Sequence, residues 1–367
     1  MPDDLPVHGD SPGPSGPLNL AEIEALGEGC LAPGTAAYYA GAAADEVTLA
    51  DNLAAFRRWR FRPRVMVPIA ERDASVVVLG RRWPAPVVVA PMALHRLAHP
   101  DGELAVARAA AARGLTMTLS TVASASIEEV AAVGGPRWFQ LYLLRDRGRT
   151  QGLLDRAAAS GYESILLTLD CPMVGRRERD LRTGFRLPPD VRYANIQHRP
   201  PEHGEDYGQD ELLGSYSWAD LDWVAAHSML PVVTKGVLHP DDARLAVDHG
   251  AAAVVVSNHG GRQLDLSMAS LDALPAVVRA VGGSQAVLVD GGIRRGTDVL
   301  MALALGARAV MLGRPLLMAL ALGGEAMVGR AFDLLLAEID RALALSGVPR
   351  VSDLRPDLLV RVGTVPA

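Results

Sequence analysis

The sequence predicts a single (β/α)8 barrel, an α/β fold, carrying a small N-terminal helical cap and a long lid loop after the fourth strand. Two observations carry this prediction. Eight short apolar segments rich in β-branched residues alternate with alanine- and leucine-rich stretches of helical character, the pattern of parallel strands joined by crossover helices. Seven of the eight also end in polar or glycine residues, the first running instead into Pro91-Met92-Ala93, at the position where this architecture places its reactive groups.

With 367 residues, 49% hydrophobic and 21% charged, the chain can bury a large core, and barrels of this length are commonly one domain. That domain is expected over residues 18–367. The net charge of -6 and pI near 5.9 give no basic footprint for nucleic acid or an anionic membrane, so neither partner is expected. Cys30 and Cys171 form no CxxC and no paired framework, which points to a reducing compartment. No basic region followed by an apolar core opens the chain, and no uninterrupted apolar run reaches spanning length. A soluble cytoplasmic protein is expected.

In chain order, residues 1–17 hold many Pro and Gly and few apolar side chains, the composition of a disordered tail. From Leu18 to Leu53 the pattern turns helical and includes Tyr38 and Tyr39. The strand-like segments follow: Val87–Ala90, Thr116–Leu119, Trp138–Leu141, Ile165–Leu169, Val232–Lys235, Ala253–Ser257, Ala286–Asp290 and Ala309–Leu312. Helical segments between them include Gly102–Arg113, Asp241–His249 and Thr297–Leu305. The spacing breaks once, at Arg176–Tyr216. A connection that long inside a compact domain reads as a lid.

The strand ends carry the chemistry. The sixth segment stops in Ser257, Asn258, His259, Gly260, Gly261 and Arg262, and the fourth in Thr168 and Asp170 followed by Arg176 and Arg177. His259 is a candidate base, and Asp170 is a carboxylate able to orient its ring and stabilise its imidazolium. Arg177 and Arg262 offer bidentate forks to a substrate carboxylate, with Tyr38 and Tyr142 as hydroxyl donors. Of 36 Lys+Arg side chains only Lys235 is a lysine, and it ends the fifth segment. A compact ammonium in so arginine-rich a chain implies a tight site that a planar guanidinium does not fit. The seventh and eighth segments run into DGGIRRG and GRP, the usual phosphate position of a barrel, with Arg294 or Arg314 as counter-charge. Metal chemistry is the weaker reading, because His95, His99, His198, His203 and His259 are scattered and no HExxH occurs. No metal site is expected.

SNHGGRQLD, together with YYAGAA, FQLY, TLD followed by GRRERD, VTKG, DGGIRRG and LGRP in that order, resembles the FMN-dependent L-2-hydroxy acid oxidase and dehydrogenase family, which includes glycolate oxidase, lactate oxidase and mandelate dehydrogenase. The resemblance runs from about Leu20 to Val351. It implies FMN as cofactor and oxidation of an (S)-2-hydroxy acid to the 2-oxo acid, with O2 or another acceptor completing the cycle and H2O2 as the oxidase product. It further implies His259 as base, paired with Asp170, and Arg177, Arg262, Tyr38 and Tyr142 on the substrate. Lys235 falls beside flavin N1 and O2. Ser120, Gln140, Thr168 and Ser257 fall around the isoalloxazine ring, and Ala90, Pro91, Met92 and Ala93 line it. Asp290, Gly292, Arg294, Gly313 and Arg314 fall on the ribityl chain and phosphate. A homotetramer or octamer is also implied. Two departures bear on substrate and acceptor: Val122 stands where glycolate oxidase has a tryptophan, which widens the pocket toward a mandelate-like acid, and Met92 replaces a small polar residue beside the flavin. The apolar insertion that takes mandelate dehydrogenase to membranes is missing between strands four and five.

Overall fold

The computed structural model describes residues 16–196 and 212–363. Most of the expected disordered tail (residues 1–15) and the middle of the expected lid (residues 197–211) lie outside the described residues. Eight parallel strands close a barrel in sequence order: β1 Val87–Val89, β2 Thr116–Ser120, β3 Arg137–Leu141, β4 Ile165–Thr168, β5 Val232–Val237, β6 Ala253–Val256, β7 Ala286–Asp290 and β8 Ala309–Leu312. All eight coincide with the apolar segments read from the sequence. β5 runs further than expected, through Gly236 to Val237, with a register irregularity after Lys235.

Continuous apolar runs form these strands because both faces are buried. In β6, Ala253 and Val255 join Val88, Leu166, Val233, Leu288 and Met311 inside the barrel. Val254 and Val256 point outward into the larger core beneath the helices, with Ile165, Leu167 and Val289. The two-residue period of the strand thus divides one apolar run between two cores.

The expected helices are present as Gly102–Ala111, Pro240–Asp248 and Gly296–Ala304. The cap consists of Leu20–Gly29, Pro33–Ala40 and Val47–Ala54. It is tied to the active end by two devices. Asp265, in the loop after β6, accepts from the amides of Val47 and Thr48 at 3.3 and 2.8 Å, satisfying donors at a helix start that have no intrahelical partner. At the end of Pro33–Ala40, the carbonyls of Tyr38, Tyr39 and Gly41 accept from Arg262 and Arg314.

Three features are not read from the sequence. A hairpin, Val76–Val78 with Arg81–Trp83, closes the opposite end of the barrel, where Trp83 packs on Trp138 with ring centroids 5.4 Å apart. Trp59–Phe61 pairs with Leu359–Arg361 and joins the two ends of the domain. The helical run Arg314–Ser346 is long and apolar enough to meet the length and composition of a membrane span, yet its most apolar stretch is 61% buried and its geometry breaks at Gly323 and Gly324. It behaves as a core helix that packs against Leu20–Gly29.

Candidate active site

At the C-terminal ends of the strands lies a cavity of about 450 Å³, within the usual range for a cofactor with a small substrate. Among its walls are Tyr38, Val122, Tyr142, Arg177, His259 and Arg262 from the substrate expectation. Ala90, Pro91, Met92, Ala93, Ser120, Gln140, Thr168, Lys235, Asp290, Gly292, Arg294, Gly313 and Arg314 from the cofactor expectation also line it.

Register builds the floor. Ser120 on β2 pairs with Gln140 on β3, and Thr168 on β4 with Lys235 on β5. The Ser120 hydroxyl donates to Gln140 Oε1 at 3.0 Å, and Gln140 Nε2 donates to Thr168 Oγ1 at 3.1 Å. Three neighbouring strands therefore present one connected polar row, with Lys235 of β5 in register beside it.

Lys235 is only 4% exposed. Its ammonium donates to Ser257 Oγ at 2.9 Å and lies 3.2 Å from Asp290 Oδ2. Burial works against its charge, but Asp290 and Asp170 outweigh that and raise its pKa. Ser257 itself is fully buried behind the wall and does not line the cavity. Its hydroxyl accepts from Lys235 and from the His259 amide, at 2.9 and 3.0 Å, so it positions both.

His259 sits at φ +57°, a left-handed conformation uncommon for a residue with a Cβ. Its loop is pinned by a reciprocal amide pair between Asn52 and Asn258, at 2.9 and 2.8 Å. His259 Nδ1 is 2.9 Å from Asp170 Oδ1. An ionised carboxylate only accepts, so Nδ1 carries the hydrogen and Nε2 is left as the acceptor. Burial pushes the His259 pKa below its ordinary value, with Asp170 opposing and Lys235 adding to the shift. Burial works to raise Asp170, yet the charge and hydrogen bond of His259 carry its pKa below the ordinary carboxylate value. The pair is therefore a neutral imidazole held by a carboxylate. Asp170 needs Gly236 beside it, since a Cβ there would lie 2.5 Å from Asp170 Cγ.

The substrate-side donors are protonated. Burial raises Tyr38, against Arg262 and Arg177, and raises Tyr142 well above its ordinary value with help from Cys171 and Asp170. Tyr38 stacks on Phe185 at 4.8 Å and lies beneath the Arg262 guanidinium at 5.3 Å. Of the two arginines proposed for phosphate, Arg294 makes a two-point ion pair with Glu24 at 2.5 and 2.6 Å. Arg314 instead donates to the neutral carbonyls of Tyr39, Gly260 and Gly41. Burial, with Arg262 and Arg294 nearby, pushes its pKa down to about 9. That is the electrostatic signature of an anion site.

Sequence reasoning missed Cys171, Met173, Val174, Tyr193 and Leu212, all of which line the cavity. Cys171 follows Asp170 directly, and its position at a strand end was the available signal. Tyr193 and Leu212 flank residues 197–211 and reach the site through an irregular path with no local pattern. Asp170, Cys171 and His259 also come together as a three-residue donor cluster, which the scattered histidine spacing did not reveal.

A model of the FMN-dependent dehydrogenase family matches residues 28–361. The chain belongs to this family. It is 47% identical over 359 residues to an L-lactate oxidase from Nostoc sp., covering 94% of this chain and 98% of that one. It is 46% identical over 329 residues to 2-hydroxyacid oxidase 1 from Homo sapiens, covering 86% and 88%. A solved mandelate oxidase superposes with a TM-score of 0.90 at 43% identity, covering 95% of this chain and 100% of that one. A variant of that enzyme solved with (S)-mandelic acid gives 0.88. The chain is thus an oxidoreductase of a family that oxidises 2-hydroxy acids with FMN, as the sequence motifs implied.

The cavity fits that cofactor. Asp290 Oδ1 is buried without a hydrogen-bond partner among the described residues, an acceptor awaiting a donor. A Cβ on Gly292 would lie 2.0 Å from the Asn52 carbonyl oxygen, so only glycine brings the backbone this close at φ +82°. The charge at Arg314 calls for an anion such as a phosphate.

Proposed function

We propose that this enzyme oxidises an (S)-2-hydroxy acid with a side chain larger than that of glycolate, mandelate-like in size, releasing the 2-oxo acid, with O2 as acceptor and H2O2 as co-product. The observation that carries the reading is a neutral His259 on a cavity wall shared with Arg177, Arg262, Tyr38 and Tyr142, backed from behind that wall by Asp170. Arg177 and Arg262 hold the substrate carboxylate, assisted by the two phenols. His259 Nε2 takes a proton from the substrate, and Asp170 stabilises the imidazolium that results. FMN would supply a two-electron acceptor when bound. The Ser120, Gln140 and Thr168 row, Ala90–Ala93, and Lys235, Asp290, Gly292, Gly313, Arg294 and Arg314 would hold it. Lys235 keeps a buried positive charge at that wall, offsetting negative charge gained there.

Val122 supports the larger substrate, since this position on the cavity wall carries a valine in place of an aromatic ring. Free Cys30 and Cys171 are in keeping with a cytoplasmic enzyme. Leu264, Leu266 and Met268, 75%, 80% and 57% exposed, support a homo-oligomer, tetramer or octamer.

The test mixes the flavin-loaded protein without oxygen against a panel of 2-hydroxy acids, then readmits air. We expect flavin bleaching, oxygen uptake and peroxide, with (S)-mandelate ahead of glycolate in kcat/KM. Glycolate ahead of every aryl or long-chain acid refutes the size assignment. Bleaching without reoxidation in air points to another acceptor, and a decarboxylated product without free peroxide to a monooxygenase.

A further inference from the structure

We propose that Asp170, Cys171 and His259 form an inhibitory binding site for a zinc-class divalent cation. Its effect on rate rests on His259 as the base; the binding itself does not. Cys171 Sγ lies 3.4 Å from His259 Nδ1 and 3.6 Å from Asp170 Oδ1, and Nδ1 and Oδ1 are 2.9 Å apart. Tetrahedral zinc with bonds of ~2.3 Å to sulfur and ~2.0–2.1 Å to nitrogen and oxygen separates its ligands by roughly 3.3–3.5 Å. The two sulfur edges already match, and the third must open by a few tenths of an ångström. Cys171 and His259 line the cavity, so the fourth position is available to water or to a substrate oxygen, the open arrangement typical of exchangeable zinc.

The donor set selects the metal. A thiolate, an imidazole and one carboxylate favour a borderline-to-soft cation over magnesium or calcium. Lys235 and Arg177 act on His259 from nearby and repel any cation, which leaves the thiolate as the decisive ligand. Burial and Asp170 push the Cys171 thiol well above its ordinary pKa, so the thiol is protonated until the metal displaces its hydrogen.

The proton balance gives the functional consequence. Binding releases the Sγ hydrogen of Cys171. Nδ1 of His259 gives up its hydrogen to coordinate, and the neutral ring then carries its hydrogen on Nε2. One proton leaves per ion, nothing is oxidised or reduced, and the nitrogen that would accept the substrate proton is blocked.

The experiment is equilibrium dialysis of the flavin-loaded enzyme against micromolar zinc sulfate, paired with rate measurements and with cadmium as a spectroscopic probe of thiolate ligation. We expect one zinc per chain in the wild type and in Cys30→Ser, at least tenfold weaker binding in Cys171→Ala and Cys171→Ser, and a cadmium–thiolate charge-transfer band that disappears in both Cys171 variants. Retention of flavin shows that the variants are folded. The wild-type rate should fall in step with zinc occupancy and return with EDTA, while magnesium has no effect. Absence of Cys171-dependent zinc binding, or cadmium binding without the thiolate band, overturns the site. Stoichiometric Cys171-dependent binding with an unchanged rate supports the site, overturns inhibition and removes His259 as the base.

Discussion

Replacing Asp170 with Asn removes one negative charge from His259 while keeping an oxygen acceptor in place. The carboxylate oxygen is 2.9 Å from Nδ1, and the positive charge that develops on the ring spreads over it at a mean separation of ~4 Å. At an effective dielectric constant of about 20, that separation is worth about 4 kcal/mol. At 1.4 kcal/mol per decade the Asn variant should reduce its flavin about 10³-fold more slowly. The assay is anaerobic stopped-flow bleaching of flavin absorbance across pH. KM should change little, because the carboxylate is absent from the cavity wall and Arg177 and Arg262 are untouched. The pH profile separates this role from a structural one. Burial already lowers the His259 pKa, and Asp170 is what opposes the shift. The wild-type acid limb of kcat/KM should therefore lie below the ordinary histidine value of about 6.5, activity falling as pH drops and the imidazole protonates. In Asp170→Asn the limb should move lower still while the plateau drops. A plateau within tenfold of wild type, or a limb displaced upward, refutes the assignment.

Lys235→Met should leave Asp290 buried and without its cation, costing about 3–5 kcal/mol at the site; flavin retention and reduction should both fall, and Lys235→Arg should not restore them, because the ammonium fills a slot between Ser257 and Asp290. Gly292→Ala places a Cβ 2.0 Å from the Asn52 carbonyl oxygen at a positive φ, and should lower stability by about 2–5 kcal/mol, read as a lower urea midpoint with loss of flavin; an unchanged midpoint refutes the close-approach argument. Val122→Trp should narrow the cavity and lower the mandelate-to-glycolate ratio of kcat/KM by about 10- to 200-fold; an unchanged ratio places the size filter elsewhere on the wall.

Legibility followed the range over which each feature is decided. β1 to β8 were readable because a strand buried on both faces must be apolar along its whole length, a local demand. Lys235 was readable because one compositional anomaly fell at a strand end. The pairing of His259 with Asp170 drew on the fold, since 89 residues separate them and only barrel geometry sets both at one rim. Ser257 shows where that logic stops. A polar residue at a strand end points either into the cavity or behind its wall, and the one-residue difference depends on a backbone turn through Asn258 and a left-handed His259 that no spacing encodes. Cys171 shows the converse: one residue past Asp170, its thiol meets the histidine edge and the carboxylate together. Chemistry that depends on three side chains from two distant loops becomes visible only once their separations are known: the histidines are scattered in the sequence, and the fold brings one of them together with Asp170 and Cys171.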